Sequence, residues 1–324
     1  MIYLESNSLD PAFNLATEQY IFDSLPRDRS YFFLWQNDNT VVIGRHQNTW
    51  AELNIPYVRE HNIHVVRRLS GGGAVYHDTG NLNFTFVTDD SGSDELDFRS
   101  FCLPVAGVLA GYGVRADIGG RNDISIDGKK FSGNAQYRRE GRVMHHGTLM
   151  FDSDISVLGA ALRPAPEKLL SKGVKSVQSR VTNLRPYLPE DITLRDFKSA
   201  LALAICGSDI PRIFTDNELS AIRAIAAERY DRWEWNWGQS PSHSVSRRKR
   251  FEGVGTVELA MNISDGRISD MRIFGDFFST GPIEALESAL TGIRPERGAV
   301  SSALEKADIP INGLTRTDLT NLIV

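Results

Sequence analysis

The stretch RRLSGGGAVYHD at residues 67–78 joins two arginines to three consecutive glycines and is the most informative part of the sequence. Three glycines in a row are costly inside a strand, so they predict a loop with unusual dihedral angles or one that a ligand approaches closely. Successive N–H groups of such a loop can converge on an anion, with Arg67, Arg68 and Ser70 as further donors. The pattern fits a phosphate site and a flexible hairpin turn with solvated arginines equally well.

This glycine loop matches neither of two widespread nucleotide-binding motifs. The chain contains no GxxxxGK[ST] sequence of a Walker P-loop and no GxGxxG dinucleotide fingerprint. A nucleotide that binds here must therefore be held in another way.

A second segment, GGRNDISIDGKKFSGNA at residues 119–135, contains the strong hairpin signal Asp127-Gly128. Its paired strands would bring residues 122–123 close to residues 132–133, so that a cation and a carboxylate face one cleft. Lys130 would project from its strand in a fixed direction and Lys129 to the opposite face, because side chains alternate along a strand. The alternative interpretation is that both lysines are solvated charges of a hairpin. In a third segment, MHHGTLM at residues 144–150, the same alternation lets only one of the adjacent histidines reach a given site.

These three segments, in this order, resemble the lipoate–protein ligase A family. The resemblance also covers FNLATE at 13–18, LWQ at 34–36, VVIGRHQN at 41–48 and KSVQSRVTNL at 175–184. It extends strongly from residue 1 to about 240, and the tail is similar, more weakly, to the family's accessory domain. The resemblance implies a two-step reaction, in which lipoate and MgATP give lipoyl-adenylate and pyrophosphate and the lipoyl group then passes to a lysine of an apo lipoyl domain.

The resemblance also implies a set of site residues. Expected nucleotide contacts are Arg68, Gly73, Ala74, Val75, Tyr76 and Lys130, and expected lipoate contacts are Lys130, Arg68, Ser70, Gly71, Gly72 and His146. Lys130 is the predicted catalytic residue, because a fixed ammonium between a carboxylate and an α-phosphate reduces their repulsion and stabilises the transition state. Asp123 is predicted to be a direct or water-mediated ligand of the Mg²⁺ that accompanies ATP.

The acyl chain of lipoate needs an apolar slot with a few polar groups at one end. Val41, Val75 and His146 are candidates for its walls. His46 and His77 fit either a polar contact with the substrate or a structural hydrogen bond.

The order of helix and strand signals predicts an α+β fold with a mixed or antiparallel sheet and flanking helices. Asp10 and Pro11 predict the cap and first turn of a helix that runs to about Ser24. Runs of β-branched and aromatic residues at 31–35 and 40–43 predict a hairpin. Further strands are expected at 64–67, 82–87, 124–126 and 143–151, and further helices at 96–110, 193–206 and 216–230.

A polar stretch at 238–244, followed by the basic run RRKR at 247–250, predicts a linker and a domain boundary. We therefore expect a catalytic domain at 1–245 and an α+β accessory domain at 246–324. Strands at 254–263 and 268–274 and helices at 282–290 and 298–307 would form the accessory domain.

Composition limits the class of protein. With 324 residues, 41% hydrophobic and 24% charged, the chain is unlike collagen, coiled coils or disordered proteins. A net charge of −5 argues against binding nucleic acid or an anionic membrane through overall charge. No apolar run approaches the ~18 residues of a membrane span, and no secretory signal begins the sequence, so a cytoplasmic location is expected. A chain of two packed domains also predicts a monomer.

Two alternatives to the ligase remain open at this level. An octanoyltransferase of the same fold would carry its acyl group on a cysteine without ATP, but Cys102 and Cys206 lie in apolar stretches and fit buried reduced thiols. The second alternative is a catalytically inert binding module, or a nucleic-acid binder that uses residues 247–250. For the ligase, the expected acceptors are apo lipoyl domains of 2-oxoacid dehydrogenase E2 subunits and the H protein of glycine cleavage, with octanoate as a further acyl substrate.

Overall fold

A computed structural model describes residues 1–89, 96–119, 122–162, 180–238 and 245–324. A mixed seven-stranded sheet forms the centre of the molecule. Its strands, in spatial order, are β1 (Ile2–Glu5), β2 (Tyr31–Trp35), β6 (Asn81–Asp89), β10 (Arg142–Met150), β9 (Lys129–Arg139), β8 (Asp123–Ile126) and β7 (Asp117–Gly119). β1 runs parallel to β2, and the other neighbours are antiparallel.

A smaller sheet packs against the large one. It consists of β4 (His64–Arg67), β3 (Thr40–Ile43) and β5 (Val75–His77), with β4 parallel and β5 antiparallel to the central β3. The predicted hairpin of residues 31–35 and 40–43 is therefore wrong, although both strands exist with the predicted bounds. β2 pairs with β1 and β6, and β3 pairs with β4 and β5, so both edges of each strand are occupied and the two strands lie inside different sheets.

Helices cover both faces of the large sheet. As predicted, α1 (Pro11–Ser24) starts at Asp10, whose carboxylate accepts hydrogen bonds from the first helical N–H groups. Before residue 239, the described residues also form the helices α2 (Thr49–Glu52), α3 (Ile55–Glu60), α4 (Arg99–Gly111), α5 (Ile155–Ala161), α6 (Leu194–Cys206), α7 (Asp216–Ile225) and α8 (Trp233–Asn236). A π-helical turn at Ala226–Tyr230 extends α7, and a 3-10 turn occupies Arg185–Tyr187.

Two hydrophobic cores lie on the two faces of the large sheet. Leu82, Phe84 and Phe86 of β6 pack with α4 and α6 on one face. Phe33 and Trp35 of β2 pack with α1 on the other face. The smaller sheet also lies on the α1 side, where it leaves a cavity between the two sheets. No helix among the described residues is both long and apolar enough to cross a membrane.

The C-terminal part has a core of its own. It contains β11 (Val245–Phe251), β12 (Gly255–Ser264), β13 (Arg267–Gly275), α9 (Ile283–Leu290), α10 (Arg297–Lys306) and α11 (Arg316–Ile323). The basic run 247–250 belongs to the edge strand β11 rather than to a linker, which corrects the expectation; exposed charges are a common way to protect a sheet edge. Residues 239–244 of the predicted linker lie outside the described residues.

Candidate functional site

A cavity of about 120 Å³ lies between the large sheet and the glycine loop. Its floor is a row of residues on four adjacent strands, namely Trp35, Asn83, Thr148 and Gly133. Its other walls come from Leu15, Val42, Arg68, Gly72, Gly73, Ala74, Val75, His77, Lys130 and His146, among others. The three sequence segments thus converge on one site.

The guanidinium of Arg68 organises the glycine loop from behind. Its NH2 group donates to the carbonyls of Gly71 at 2.6 Å and Gly73 at 2.9 Å, its NH1 group to Val42 at 3.2 Å, and its Nε to Ser70 Oγ at 3.0 Å. Burial lowers the pKa of Arg68 to about 10, an effect that the Glu18 carboxylate opposes. Since most of its donors are used by the loop, Arg68 orders the backbone that faces the cavity.

Lys130 supplies an ammonium at one end of the cavity. Its Nζ lies 2.7 Å from Asp123 Oδ1, and the two side chains are 39% and 42% exposed. The hairpin at Asp127-Gly128 is confirmed, with φ of 51° and 74°. The backbone of Lys130 is held from the other side, because its N–H donates to the Arg180 carbonyl at 2.8 Å and its carbonyl accepts from Thr182 N–H at 2.9 Å.

A buried acidic residue that the sequence analysis did not select completes the site. Glu18 of α1 accepts from His146 Nδ1 at 3.0 Å and from the hydroxyl of Thr85. His146 Nε2 lies 2.6 Å from Ser70 Oγ, which in turn accepts from Arg68. These donors and acceptors match if His146 is neutral with its proton on Nδ1. A carboxylate between the apolar Leu15 and Phe22 of the same helix was the available signal, because buried acids are almost always paired.

Strand alternation separates residues that are neighbours in the sequence. His146 lines the cavity, whereas His145 turns to the other face, where it contacts Gln136 and stacks on Phe101, so the prediction that only one histidine reaches the site is confirmed. Val75 lines the cavity, but the Tyr76 side chain lies on the opposite side and donates to Asn39.

Several expected contacts lie away from the cavity wall. Val41 packs in a separate cluster, and its neighbour Val42 lines the cavity instead, because β3 presents alternate residues to its two faces. The side chain of Ser70 lies behind the loop between Arg68 and His146. Arg67 is fully buried and bonds to the carbonyls of Gly44, Gln47 and Trp235, so its charge serves the packing of this region.

The C-terminal part touches the glycine loop directly. Gly72 N–H donates to the Phe277 carbonyl at 3.1 Å, and a Cβ at Gly71 would lie 2.3 Å from the same oxygen. His46 stacks on the Phe277 ring with centroids 4.9 Å apart and contacts Ser279 Oγ at 2.9 Å. Gly71 and His46 therefore belong to the contact with the C-terminal part. Of its two expected roles, His46 has the structural hydrogen bond and not the substrate contact.

Neither cysteine lies in the cavity wall. Burial raises the pKa of the Cys102 thiol to about 12 and that of Cys206 to about 11. A nucleophilic cysteine needs the opposite, an accessible thiol with a lowered pKa. Both cysteines belong with the packing between the helices and the large sheet.

Parts of two predicted motifs cannot be placed. Residues 120–121 of the second segment and residues 175–179 of KSVQSRVTNL lie outside the described residues. Residues 180–182 of the latter motif are described and pair with the backbone of Lys130.

Two family models match this chain. Residues 10–206 match the lipoyl protein ligase A/B catalytic domain, and residues 240–323 match the C-terminus of bacterial lipoate protein ligases. The chain is 40% identical to lipoate-protein ligase LplJ of Bacillus subtilis, with 100% of both chains covered. It is 39% identical to lipoate–protein ligase 1 of Staphylococcus aureus, with 95% of each chain covered.

Solved structures with the same fold agree with these relatives. P. falciparum LipL1 in complex with lipoate has a TM-score of 0.83 at 26% identity, covering 99% of this chain and 98% of that one. The bipartite lipoate protein ligase of Thermoplasma acidophilum, described with its E2 lipoyl domain, has a TM-score of 0.66 at 30% identity, covering 75% and 98%. Lipoate-protein ligase A bound with ATP has a TM-score of 0.63 at 27% identity, covering 74% and 98%.

Proposed function

This chain belongs to the lipoate–protein ligase family, and we propose that its cavity joins lipoate to AMP with ATP and then transfers the lipoyl group to a lysine of an apo lipoyl domain. The observation that carries the proposal is that Lys130 and the glycine loop line the same cavity. Lys130 contributes a fixed cation, and the glycine loop contributes backbone N–H donors. These are the groups that a reaction between two anions requires.

Lys130 acts as the catalytic residue of the first step. Attack of a carboxylate on the α-phosphate places negative charge on both reactants, and an ammonium between them stabilises that charge in the transition state. Asp123 holds the Nζ atom at 2.7 Å, and the backbone bonds to residues 180 and 182 hold its strand position. A positioned cation needs little reorganisation when the substrates arrive.

The glycine loop binds the nucleotide through its backbone. Gly73 has open space where a Cβ would lie, with no other atom within 4 Å, so a ligand can approach the chain closely there. Gly73, Ala74, Val75 and the backbone of Tyr76 contact the nucleotide in this proposal. Arg68 contributes by ordering the loop carbonyls, and Ser70, Gly71 and Gly72 shape the loop that encloses lipoate.

The apolar part of the cavity holds the acyl chain. Leu15, Trp35 and Val42 form walls that suit a hydrocarbon, and Ala135 adds a small apolar surface next to His146. His146, held by Glu18, faces this part of the site. A slot with apolar walls that ends at Lys130 would place a fatty acid carboxylate next to the ammonium.

Asp123 is the side chain that we propose as a direct or water-mediated ligand of Mg²⁺. Its carboxylate is partly exposed and contacts Lys130, which lines the cavity, and magnesium commonly takes one or two carboxylates together with substrate phosphates. The ion would supply neutralisation of phosphate charge. Asp123 also contacts Lys130 and thereby holds the ammonium in position at that end of the site.

Membership of the family also supports a division of labour along the chain and a class of acceptor proteins. A catalytic domain at 1–245 and an accessory domain at 246–324 would act as one cytoplasmic monomer. E2 lipoyl domains and the glycine cleavage H protein are the proposed acceptors. The raised pKa of both thiols, of which Cys102 is buried and Cys206 half-buried, disfavours the cysteine-dependent octanoyltransferase.

Lipoate-dependent exchange of labelled pyrophosphate into ATP tests the proposal. We expect exchange with lipoate and none without it, followed by lipoylation of an apo lipoyl domain when that acceptor is added. A folded protein that shows no exchange in the presence of lipoate, ATP and Mg²⁺ would overturn it.

A further inference from the structure

The cavity has two ends that lie on different strands of the large sheet. Trp35 pairs with Asn83, Asn83 with Thr148, and Gly133 N–H donates to Thr148 Oγ1 at 3.2 Å. Neighbouring strands are ~4.8 Å apart, so this row spans roughly 14 Å from Trp35 to Gly133. Lys130 lies over Gly133, and the Trp35 end is therefore remote from the ammonium.

His77 lies at the remote end, with its ring edge-on to Trp35 and the ring centroids 6.0 Å apart. Its Nδ1 atom lies 3.2 Å from Asn37 Nδ2. Asn37 Oδ1 accepts from Asn14, so the NH₂ group of Asn37 is the one that faces the histidine. Since Nδ1 accepts this bond, the ring proton of His77 is on Nε2.

The Nε2–H group of His77 has no hydrogen-bond partner in the part of the chain that the structure describes. The side chain is 2% exposed and lines the cavity. Burial, with the charges of Arg68 and His146, lowers the pKa of His77 to about 3, so the ring is neutral at physiological pH. An unpaired buried donor costs free energy, unless a ligand accepts a hydrogen bond from it.

Trp35 and Asn83 are the other polar side chains of the cavity wall at this end, and both have partners. Asn83 Oδ1 accepts from Asn81 Nδ2 at 3.0 Å, and Asn83 Nδ2 lies 3.5 Å from His77 Nδ1. Trp35 Nε1–H donates to Thr85 Oγ1 at 2.9 Å, so the indole presents carbon atoms to the cavity. A hydrocarbon that fills this end therefore packs well against Trp35 and Leu15 but leaves the His77 Nε2–H group without an acceptor.

We propose that His77 selects acyl substrates with a hydrogen-bond acceptor at the end remote from the carboxylate, and hence favours lipoate over octanoate. The proposal rests on the proposed function of the cavity. A dithiolane sulfur accepts from an N–H group, although weakly, whereas the terminal methyl of octanoate does not. Sites with buried donors discriminate against analogues that leave the donor unpaired. Because sulfur is a weak acceptor, we expect lipoate to be favoured over octanoate by about fivefold to tenfold, near the lower limit of what an unpaired buried donor costs.

The test compares lipoate and octanoate in pyrophosphate exchange for the wild type and His77→Phe. Phenylalanine keeps an aromatic ring of similar size and removes the donor. We expect the octanoate-to-lipoate ratio of kcat/KM to rise about fivefold to tenfold, chiefly through better use of octanoate. His64→Phe, at an exposed position, is the matched control and should leave the ratio unchanged. A folded His77→Phe enzyme whose ratio stays within about twofold of wild type would overturn the proposal.

A measurement on the unaltered protein keeps the proposal testable if His77→Phe does not fold. The carbocyclic analogue of lipoate, in which cyclopentane replaces the dithiolane ring, has nearly the same shape without the sulfur atoms. Wild-type kcat/KM should be about fivefold lower for this analogue than for lipoate, and equal use of both overturns the role of His77. A wild-type protein that shows no exchange with lipoate instead overturns the proposed function itself.

Discussion

Lys130 crosses the backbone of Gly133 so closely that a Cβ atom at position 133 would lie 2.9 Å from Nζ. The same Nζ atom lies 2.7 Å from Asp123. The absence of a side chain at Gly133 therefore lets the ammonium lie along the cavity wall, within reach of a carboxylate bound there.

Lys130→Ala should reduce lipoate-dependent pyrophosphate exchange by at least ~10²–10³, because removal of one positioned electrostatic group typically costs that much. Lys129→Ala is the matched control, since Lys129 is exposed and absent from the cavity wall, and it should retain near-normal exchange. Near-normal adenylate formation by the Lys130 variant would remove it from the catalytic role.

Gly133→Ala should lower activity without loss of stability. The added methyl group meets only the flexible end of Lys130 at short range, so it displaces the ammonium and not the backbone. A displacement of about 1 Å can cost up to ~10²-fold in rate. Exchange assays and thermal unfolding would be compared with Gly119→Ala, where a Cβ meets no atom within 4 Å. Equal activity of the two variants would show that the path of Lys130 over Gly133 is not required.

Substitution of two glycines of the same loop by alanine should affect different properties, namely stability at Gly71 and ATP binding at Gly73. At Gly71 an added Cβ would lie 2.3 Å from the Phe277 carbonyl, so Gly71→Ala should destabilise the protein by about 1–3 kcal/mol. Gly73→Ala has room for the methyl group and should change stability by less than ~0.5 kcal/mol. The Gly73 variant should instead raise KM for ATP, because its methyl group points into the proposed nucleotide contact. Urea unfolding and steady-state kinetics on both variants separate the effects; a Gly71 variant as stable as wild type contradicts the contact.

The double variant Cys102→Ala, Cys206→Ala should remain active with lipoate and ATP. Both thiols have raised pKa values and pack against the hydrophobic core, so neither is suited to carry an acyl group. Activity would be measured as lipoylation of an apo lipoyl domain. A folded but inactive double variant would instead favour the thioester enzyme.

Stability should fall as the pH drops below 6.5. His77 and His145 are buried, and burial lowers the pKa of His77 to about 3 and that of His145 well below its ordinary value of 6.5. The unfolded chain therefore binds protons below pH 6.5 that the folded protein excludes, and each histidine contributes up to ~1.4 kcal/mol per pH unit. Their contribution is fully present above pH 6.5 and declines toward acid. Urea midpoints at pH 7, 6 and 5 would check this, and a flat profile would contradict it.

The local elements of the fold could be predicted from the sequence. Asp10 caps α1, Asp127-Gly128 forms the hairpin, and Lys130 faces the cavity while Lys129 is exposed. These features depend on the dihedral preferences and alternation of neighbouring residues, which the sequence displays directly. The order of the three motifs also indicated the family, and the comparisons confirmed it.

The partition of the strands between two sheets could not be predicted in the same way. The strands at 31–35 and 40–43 have the expected bounds, but short connections normally favour a hairpin, and only the pairing of each strand with two other strands shows otherwise. Likewise, the basic run at 247–250 has the composition of a linker, and its pairing with β12 decides that it is a strand.

The sequence by itself determined the family, the local elements and the residue types that the site would use. Only the tertiary structure decided where these side chains lie. Val42 lines the cavity instead of Val41, Arg68 lies behind the glycine loop, and Glu18 contacts His146. The physical reason is separation along the chain. Glu18 and His146 are 128 residues apart, and their contact arises from the packing of α1 on the sheet, which no local pattern encodes.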